Sequence, residues 1–282
     1  MTITNDIPFI KMHGLGNDFV VIDARAGSLD LSNAEAAAIA NRRTGVGCDQ
    51  LIVLEPPRDE HADVFMAIRN ADGTDAEACG NATRCVASMI MRENTTRHTI
   101  IETVAGLLDA ETADEKLISV DMGPARLDWR DIPLGKAIDT LHLGIQSGPL
   151  RDPVGVNIGN PHAVFFVDDA DAIDLQTHGP LLEHHALFPE RANIGVAQVI
   201  SQHQIRLRVW ERGVGETAAC GSGACAAMVA ACRRKLTARN ADVVLNGGTL
   251  AMQWLPDGHV EMTGPVAISF NGVIDRSLLA QG

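Results

Sequence analysis

Two cysteine motifs, one in each half, constrain this chain more than any other feature. "AEACGNATRC" covers residues 76–85 and "TAACGSGAC" covers residues 217–225, so Cys79 and Cys220 stand 141 positions apart (220 − 79) in a chain of 282. The repeat extends outward from the cysteines. "RNADGTDAEACG" (69–80) aligns without a gap onto "WERGVGETAACG" (210–221), which sets Asn70 opposite Glu211. "GNDFVVID" (16–23) resembles "GNPHAVFFVDD" (159–169), each with Gly-Asn ahead of an apolar run that ends in Asp. Such a chain is expected to fold as two similar lobes, each supplying one thiol. Shared fold without shared chemistry is the plainer alternative.

The local patterns point to a sheet-rich architecture. Runs rich in β-branched and aromatic residues, bounded by turn formers, read as strands at 19–23, 50–55, 63–70, 98–106 and 116–123, and again at 154–160, 162–169, 193–200, 204–213 and 241–255. Helices are fewer: 32–43, with Ser32 as N-cap and Glu35 completing a capping box, then 80–92 and 221–235. Strands outnumber helices too heavily for a regular βαβ alternation, so the expected class is α+β (mixed α/β), with one principal buried helix per half. The expected lobes are 1–123 with 264–282, carrying Cys79, and 124–263, carrying Cys220. The turn-rich stretch 123–139 reads as the link, and 264–275 as a strand returning to the first lobe.

A net charge of −13 and a pI near 5.1 repel phosphate backbones and anionic lipid, so no nucleic-acid or membrane partner is indicated and small zwitterions remain as ligands. The opening residues lack a basic stretch followed by an apolar one, as a secretory signal requires, and no window approaches the roughly 18 apolar residues of a membrane span. A cytoplasmic location is expected, where thiols stay reduced. The six cysteines then read as free thiols, and their C-x5-C and C-x4-C spacings do not match the paired C-x2-C of zinc sites, so no metal is expected.

Cys79 and Cys220 each stand directly before Gly and a polar residue, at the head of a run with small and apolar residues at helical spacing that ends in arginine. A thiol at a helix N-terminus feels the positive end of the helix dipole, which favours its thiolate, and the same N–H groups can hold a carboxylate. Inverting an amino-acid α-carbon needs a base on one face and an acid on the other, which a duplicated chain with one thiol per half can supply. A cysteine is more often a small buried hydrophobe, and that reading is preferred for Cys48, Cys85, Cys225 and Cys232. Pyridoxal chemistry would need a Schiff-base lysine, and none of Lys11, Lys116, Lys136 and Lys235 lies in an evident phosphate-binding loop. A cofactor-free reaction is the simpler expectation.

Six ordered segments, "KMHGLGNDF", "GVGCDQ", "NADGTDAEACGNATRC", "GNPHAVFFV", "RANIGV" and "WERGVGETAACGSGACA", resemble the diaminopimelate epimerase family over essentially the whole chain. The resemblance implies two similar lobes wrapped around central helices, a homodimer, no cofactor, and interconversion of LL- and meso-diaminopimelate in lysine and cell-wall precursor synthesis. It implies Cys79 and Cys220 as the acid/base pair. It further implies Arg212 on the distal carboxylate with Asn70 and Asn193 assisting, Glu211 and Asn160 as acceptors for ammonium groups, and Asn17 and Gln50 as substrate contacts. The amides of Gly80-Asn81 and Gly221-Ser222 become a carboxylate cradle, and His162 and Glu211 tune the thiols. The family commonly reads C-G-N-G-A-R-C where this chain has Ala82 and Thr83, so a methyl group here could crowd the cradle. Rival readings are a related cofactor-independent racemase or isomerase of another amino acid, and a thiol redox or metal-binding protein.

Overall fold

A computed structural model of the chain describes residues 6–27, 29–76, 79–114 and 116–281. Contacts divide it into two compact units, one running to Val120 and resuming at Pro265, the other Asp121–Gly264.

In the first unit, strand Ile7–Gly14 pairs antiparallel with Asn17–Asp23 on one side and with Ala267–Ile274 on the other. The chain's last strand therefore pairs within the first unit. Helix α1 (Asn33–Ala40) leads to Gln50–Glu55, parallel to Asn17–Asp23, and then to the antiparallel Val64–Asn70. After the short Asp75–Ala76 comes helix α2 (Gly80–Asn94), followed by His98–Thr103, parallel to Val64–Asn70, and two antiparallel strands, Gly106–Asp114 and Leu117–Pro124.

After a short two-stranded sheet of its own, Gln146–Ser147 with Leu150–Arg151, the second unit repeats this order. Val154–Asn157 pairs antiparallel with Pro161–Phe166; helix α3 (Leu175–Glu183) leads to Asn193–Ser201, parallel to it, and then to the antiparallel Gln204–Glu211. The short Gly215–Thr217 precedes helix α4 (Gly221–Arg233), Asn240–Leu245 and the antiparallel strands Gly248–Trp254 and His259–Pro265. Register repeats as well: Phe19 pairs with Gln50 in the first unit as His162 pairs with Asn193 in the second. The expected α+β class with mixed sheets is what forms.

Burial explains why the central strands read as unbroken apolar runs. Phe19, Val20, Val21 and Ile22 are all buried, as are Leu51 through Leu54, because both faces of the sheet are covered. Val20, Ile22, Leu51 and Val53 pack with Ala36 and Ile39 of α1, and the alternate residues point to the opposite face, where α2 lies against the strands. In the second unit Phe165, Ile194 and Val196 pack with Leu175 and Leu182 of α3, and α4 lies against the strands as α2 does. Ala224 through Ala231 are wholly buried, so α4 is a helix covered all round, built of small residues that let the sheet approach.

Three departures from the sequence expectation have physical causes. The run 241–255 is a hairpin that turns at Asn246-Gly247, a strong turn pair hidden between apolar residues. The run 98–106 ends at Thr103 and turns through Val104 and Ala105, neither of them a turn former. Helix α3 was not expected because Gly179 and Pro180 interrupt it; Gly179 is required because a Cβ there would lie 2.5 Å from the Trp210 ring.

Candidate active site

Each of the four helices shows how its start is made. Ser32 caps α1 through a capping box with Glu35, and Asp174 caps α3 by accepting from Thr177 N. Helices α2 and α4 instead begin on Cys79 and Cys220, in extended N-cap conformations (φ −150°, ψ 107° and φ −124°, ψ 110°) with no side-chain cap bond. The ladders begin with Thr83 N to Cys79 O at 2.9 Å and Ala224 N to Cys220 O at 3.0 Å, so the preceding amides lie outside the intrahelical bonding. The expected pairing of a cysteine with a buried helix start holds in both units. Arg92 and Arg233 stand in the last turns, where cations suit the helix dipole.

Near Cys79 stand two asparagine amides. Its Sγ lies 3.8 Å from Asn17 Oδ1, which also accepts from Asn81 Nδ2 at 3.1 Å, and Asn81 Oδ1 accepts from the fully buried Arg84 at 2.9 Å. Asn17 Nδ2 in turn donates to Asp49 at 2.9 Å, and Arg42 binds the same carboxylate. Asn17 follows Gly16, whose φ of +84° makes the turn that presents it; Gly159 has the same φ ahead of Asn160. Gln50 Nε2 donates to Asn70 Oδ1 at 3.2 Å, so two of the expected contacts hold each other.

Around Cys220 the groups are a carboxylate and an imidazole. The buried Cys220 thiol donates to Glu211 Oε2 at 3.1 Å, and Thr217 donates its hydroxyl to the other carboxylate oxygen. Burial, reinforced by the Glu211 charge and hydrogen bond, pushes the Cys220 thiol well above its ordinary pKa. Ser222 Oγ lies 3.7 Å from the sulfur and 3.1 Å from His162 Nε2, which lies 2.7 Å from Asn160 Oδ1. An acceptor as the nearest partner places the imidazole proton on Nε2, and the buried Nδ1 has no partner among the described residues. Complete burial, with the Arg212 charge adding to it, lowers the His162 pKa to about 3, so the ring is neutral.

The residues expected to recognise the substrate are tied down more than the sequence suggests. Asn193 is buried, accepts from Arg212 N at 2.9 Å and donates to Pro161 O at 3.0 Å, so it shapes the backbone that carries Arg212. The exposed Arg212 side chain reaches the Glu190 carbonyl at 3.1 Å. Glu211 and Asn160, expected as ammonium acceptors, are engaged with Cys220 and His162. Sequence reasoning missed Thr217 and also Glu183, a buried carboxylate of α3 that accepts from Trp210 Nε1 at 2.7 Å and Gly213 N at 3.0 Å and so pins the turn bearing Glu211 and Arg212. The repeat alignment places Thr217 opposite Ala76, and that mismatch beside a carboxylate was the available signal. Ala82, in the first turn of α2, is fully buried. Burial pushes Cys48 up to about 11 and Cys85 up to about 12, in keeping with inert thiols.

Comparison with known proteins places this arrangement. The family model described as diaminopimelate epimerase matches residues 9–127 and 154–269. The chain belongs to the diaminopimelate epimerase family. A diaminopimelate epimerase of Rhodospirillum centenum is 58% identical over 271 residues, covering 96% of this chain and 93% of the relative. That of Acidiphilium cryptum is 56% identical over 273 residues, covering 97% and 98%. Among solved structures, a hydroxyproline epimerase from Agrobacterium vitis shares the fold, with a TM-score of 0.68 at 14% identity over 95% of this chain and 91% of the other. Within the family frame, both motif cysteines fall in the matched segments, as do Asn160, His162 and Glu211. No helix among the described residues is long and apolar enough to cross a membrane.

Proposed function

We propose that the chain interconverts LL- and meso-diaminopimelate without a cofactor, Cys79 and Cys220 acting on opposite faces of one α-carbon. Membership of the family makes it an epimerase; the proposal concerns which groups move the proton. The observation that carries it is the repeated one: each unit places a thiol at the uncapped N-terminus of a buried helix, where a carboxylate can be held while the neighbouring α-proton is exchanged.

The chemistry follows from the two surroundings. Cys220, held protonated by burial and Glu211, enters as the acid, and Cys79 removes the α-proton as thiolate. The electron pair left on carbon delocalises into the bound carboxylate, whose developing charge the helix amides stabilise. Cys220 then delivers its proton from the other face. In the reverse direction the roles exchange: Cys220, left as thiolate by the forward step, removes the α-proton, and Cys79 returns the proton it took up. His162, neutral through burial, donates to Asn160 and keeps positive charge away from the sulfur. Arg212 supplies the bidentate cation for the distal carboxylate, which sets which end of the substrate reacts. The reaction serves lysine and cell-wall precursor synthesis, in the cytoplasm and as a homodimer, as the family resemblance implies.

Proton NMR of reduced protein with LL-diaminopimelate in D2O, with no pyridoxal phosphate or metal added, tests the reading. Meso product carrying one deuterium at the inverted carbon at early times is expected. No exchange from folded, reduced protein would overturn it.

A further inference from the structure

We infer that Thr217 is a positioning residue, clamping Glu211 so that one carboxylate oxygen stays on the Cys220 sulfur. The inference rests on the proposed role of Cys220 for its kinetic consequence, though the contact itself does not.

The strand register shows why Thr217 has this reach and nothing else on its strand does. Glu211 pairs with Gly215, and Val209 with Thr217. Val209 and Glu211 are two apart and share a face, so Thr217 is the diagonal neighbour of Glu211, a separation long side chains span. The residue directly opposite is Gly215, whose φ of +104° suits glycine and which offers no side chain. The one same-face donor on the short strand Gly215–Thr217 is therefore the Thr217 hydroxyl, and it binds Glu211 Oε1. The last torsion of a glutamate is otherwise broad, so a carboxylate held at one oxygen has its second oxygen placed as well. That second oxygen is the one 3.1 Å from Cys220 Sγ.

The first unit lacks the device at the same register. Ile68 pairs with Ala76 as Val209 pairs with Thr217, and Ala76 has no donor. The residue matching Glu211 is Asn70, which is held by Gln50 and by Thr74 instead. At this register the hydroxyl stands beside the carboxylate, whereas Asn70 donates to the Thr74 hydroxyl from a different position on the chain.

The test uses three variants of the full chain: T217V, which keeps shape and loses the donor; T217A, which loses both; and T217S, which keeps the donor. Turnover is measured in both directions, and alkylation of Cys220 by iodoacetamide is followed against pH by mass spectrometry of its peptide. T217V and T217A are expected to lower kcat about 10- to 100-fold with little change in KM, the scale of misplaced catalytic geometry. They should also shift the Cys220 alkylation midpoint to lower pH, because the carboxylate no longer disfavours the thiolate. T217S should restore both. Wild-type kcat and an unshifted midpoint in T217V and T217A, or T217S failing as they do, would overturn the inference. If T217V does not fold, T217A against T217S decides it. If wild-type protein fails to epimerise diaminopimelate, the proposed reaction falls, and the alkylation midpoints still decide the clamp.

Discussion

The Cys79 and Cys220 helix starts have the same backbone and different company. Both follow a short strand, both are the N-cap residue of a buried helix, and each unit carries a Gly-Asn turn with the same left-handed glycine. The repeat pairs Phe19 with His162, Asn70 with Glu211, Ala76 with Thr217, Ala82 with Gly223, and Arg84 with Cys225. One thiol has the amide of Asn17 within reach, itself tied through Asn81 to the buried Arg84, and the other has the Glu211 carboxylate, with the neutral His162 reached through Ser222. Duplication supplies the geometry twice, and the neighbouring side chains differ between the two copies.

The largest effect in this comparison should come from a methyl group. Ala82 is accommodated in the core, whereas a Cβ at Gly223 would lie 2.9 Å from Val209 Cγ2 and 3.2 Å from Cys220 Sγ. G223A should therefore cost about 1–3 kcal/mol in denaturant melts, as overpacking does, and lower turnover by displacing the sulfur. The mirror change A82G should cost only about 1 kcal/mol, the helix preference for alanine, and leave turnover near normal. Equal stability of G223A and wild type would show that the second helix start is no tighter than the first.

A smaller and pH-dependent effect should come from giving the second unit the residue of the first. His162 has a folded pKa of about 3 against 6.5 unfolded, so between these values the unfolded chain binds the extra proton. Its contribution makes stability rise with pH across that window and fall as pH drops below about 6.5, by about 1.4 kcal/mol per pH unit at most. H162F should lower stability at pH 7.5, because Asn160 and Ser222 lose a partner, yet flatten the decline between pH 6.5 and 5 relative to wild type. Parallel slopes for the two proteins would mean that the imidazole takes up its proton in the folded state.

How far the sequence revealed this depends on whether the signal was local. The Ser32–Glu35 capping box, the strand 50–55 and the two helices headed by cysteines were legible because each rests on residues adjacent in the chain. The thiols themselves stood out because the repeat marked them. What was not legible depends on partners distant in sequence: Gly179 needed Trp210 to explain it, Glu183 is read only against Trp210 and Gly213, and Arg84 is recognisable as buried only once Asn81 is seen to hold it. The bonds of Asn193 to Pro161 and Arg212, which span 32 and 19 residues, were not legible for the same reason.

The central claim is that both thiols are required, and turnover of C79A and C220A tests it most directly. Each protein, confirmed as folded by circular dichroism, is assayed for LL-to-meso conversion and for the reverse. Loss of about a thousandfold or more in both variants and both directions is predicted, since each removes the proton carrier of one face. Either variant converting substrate within tenfold of wild type would contradict the two-thiol account.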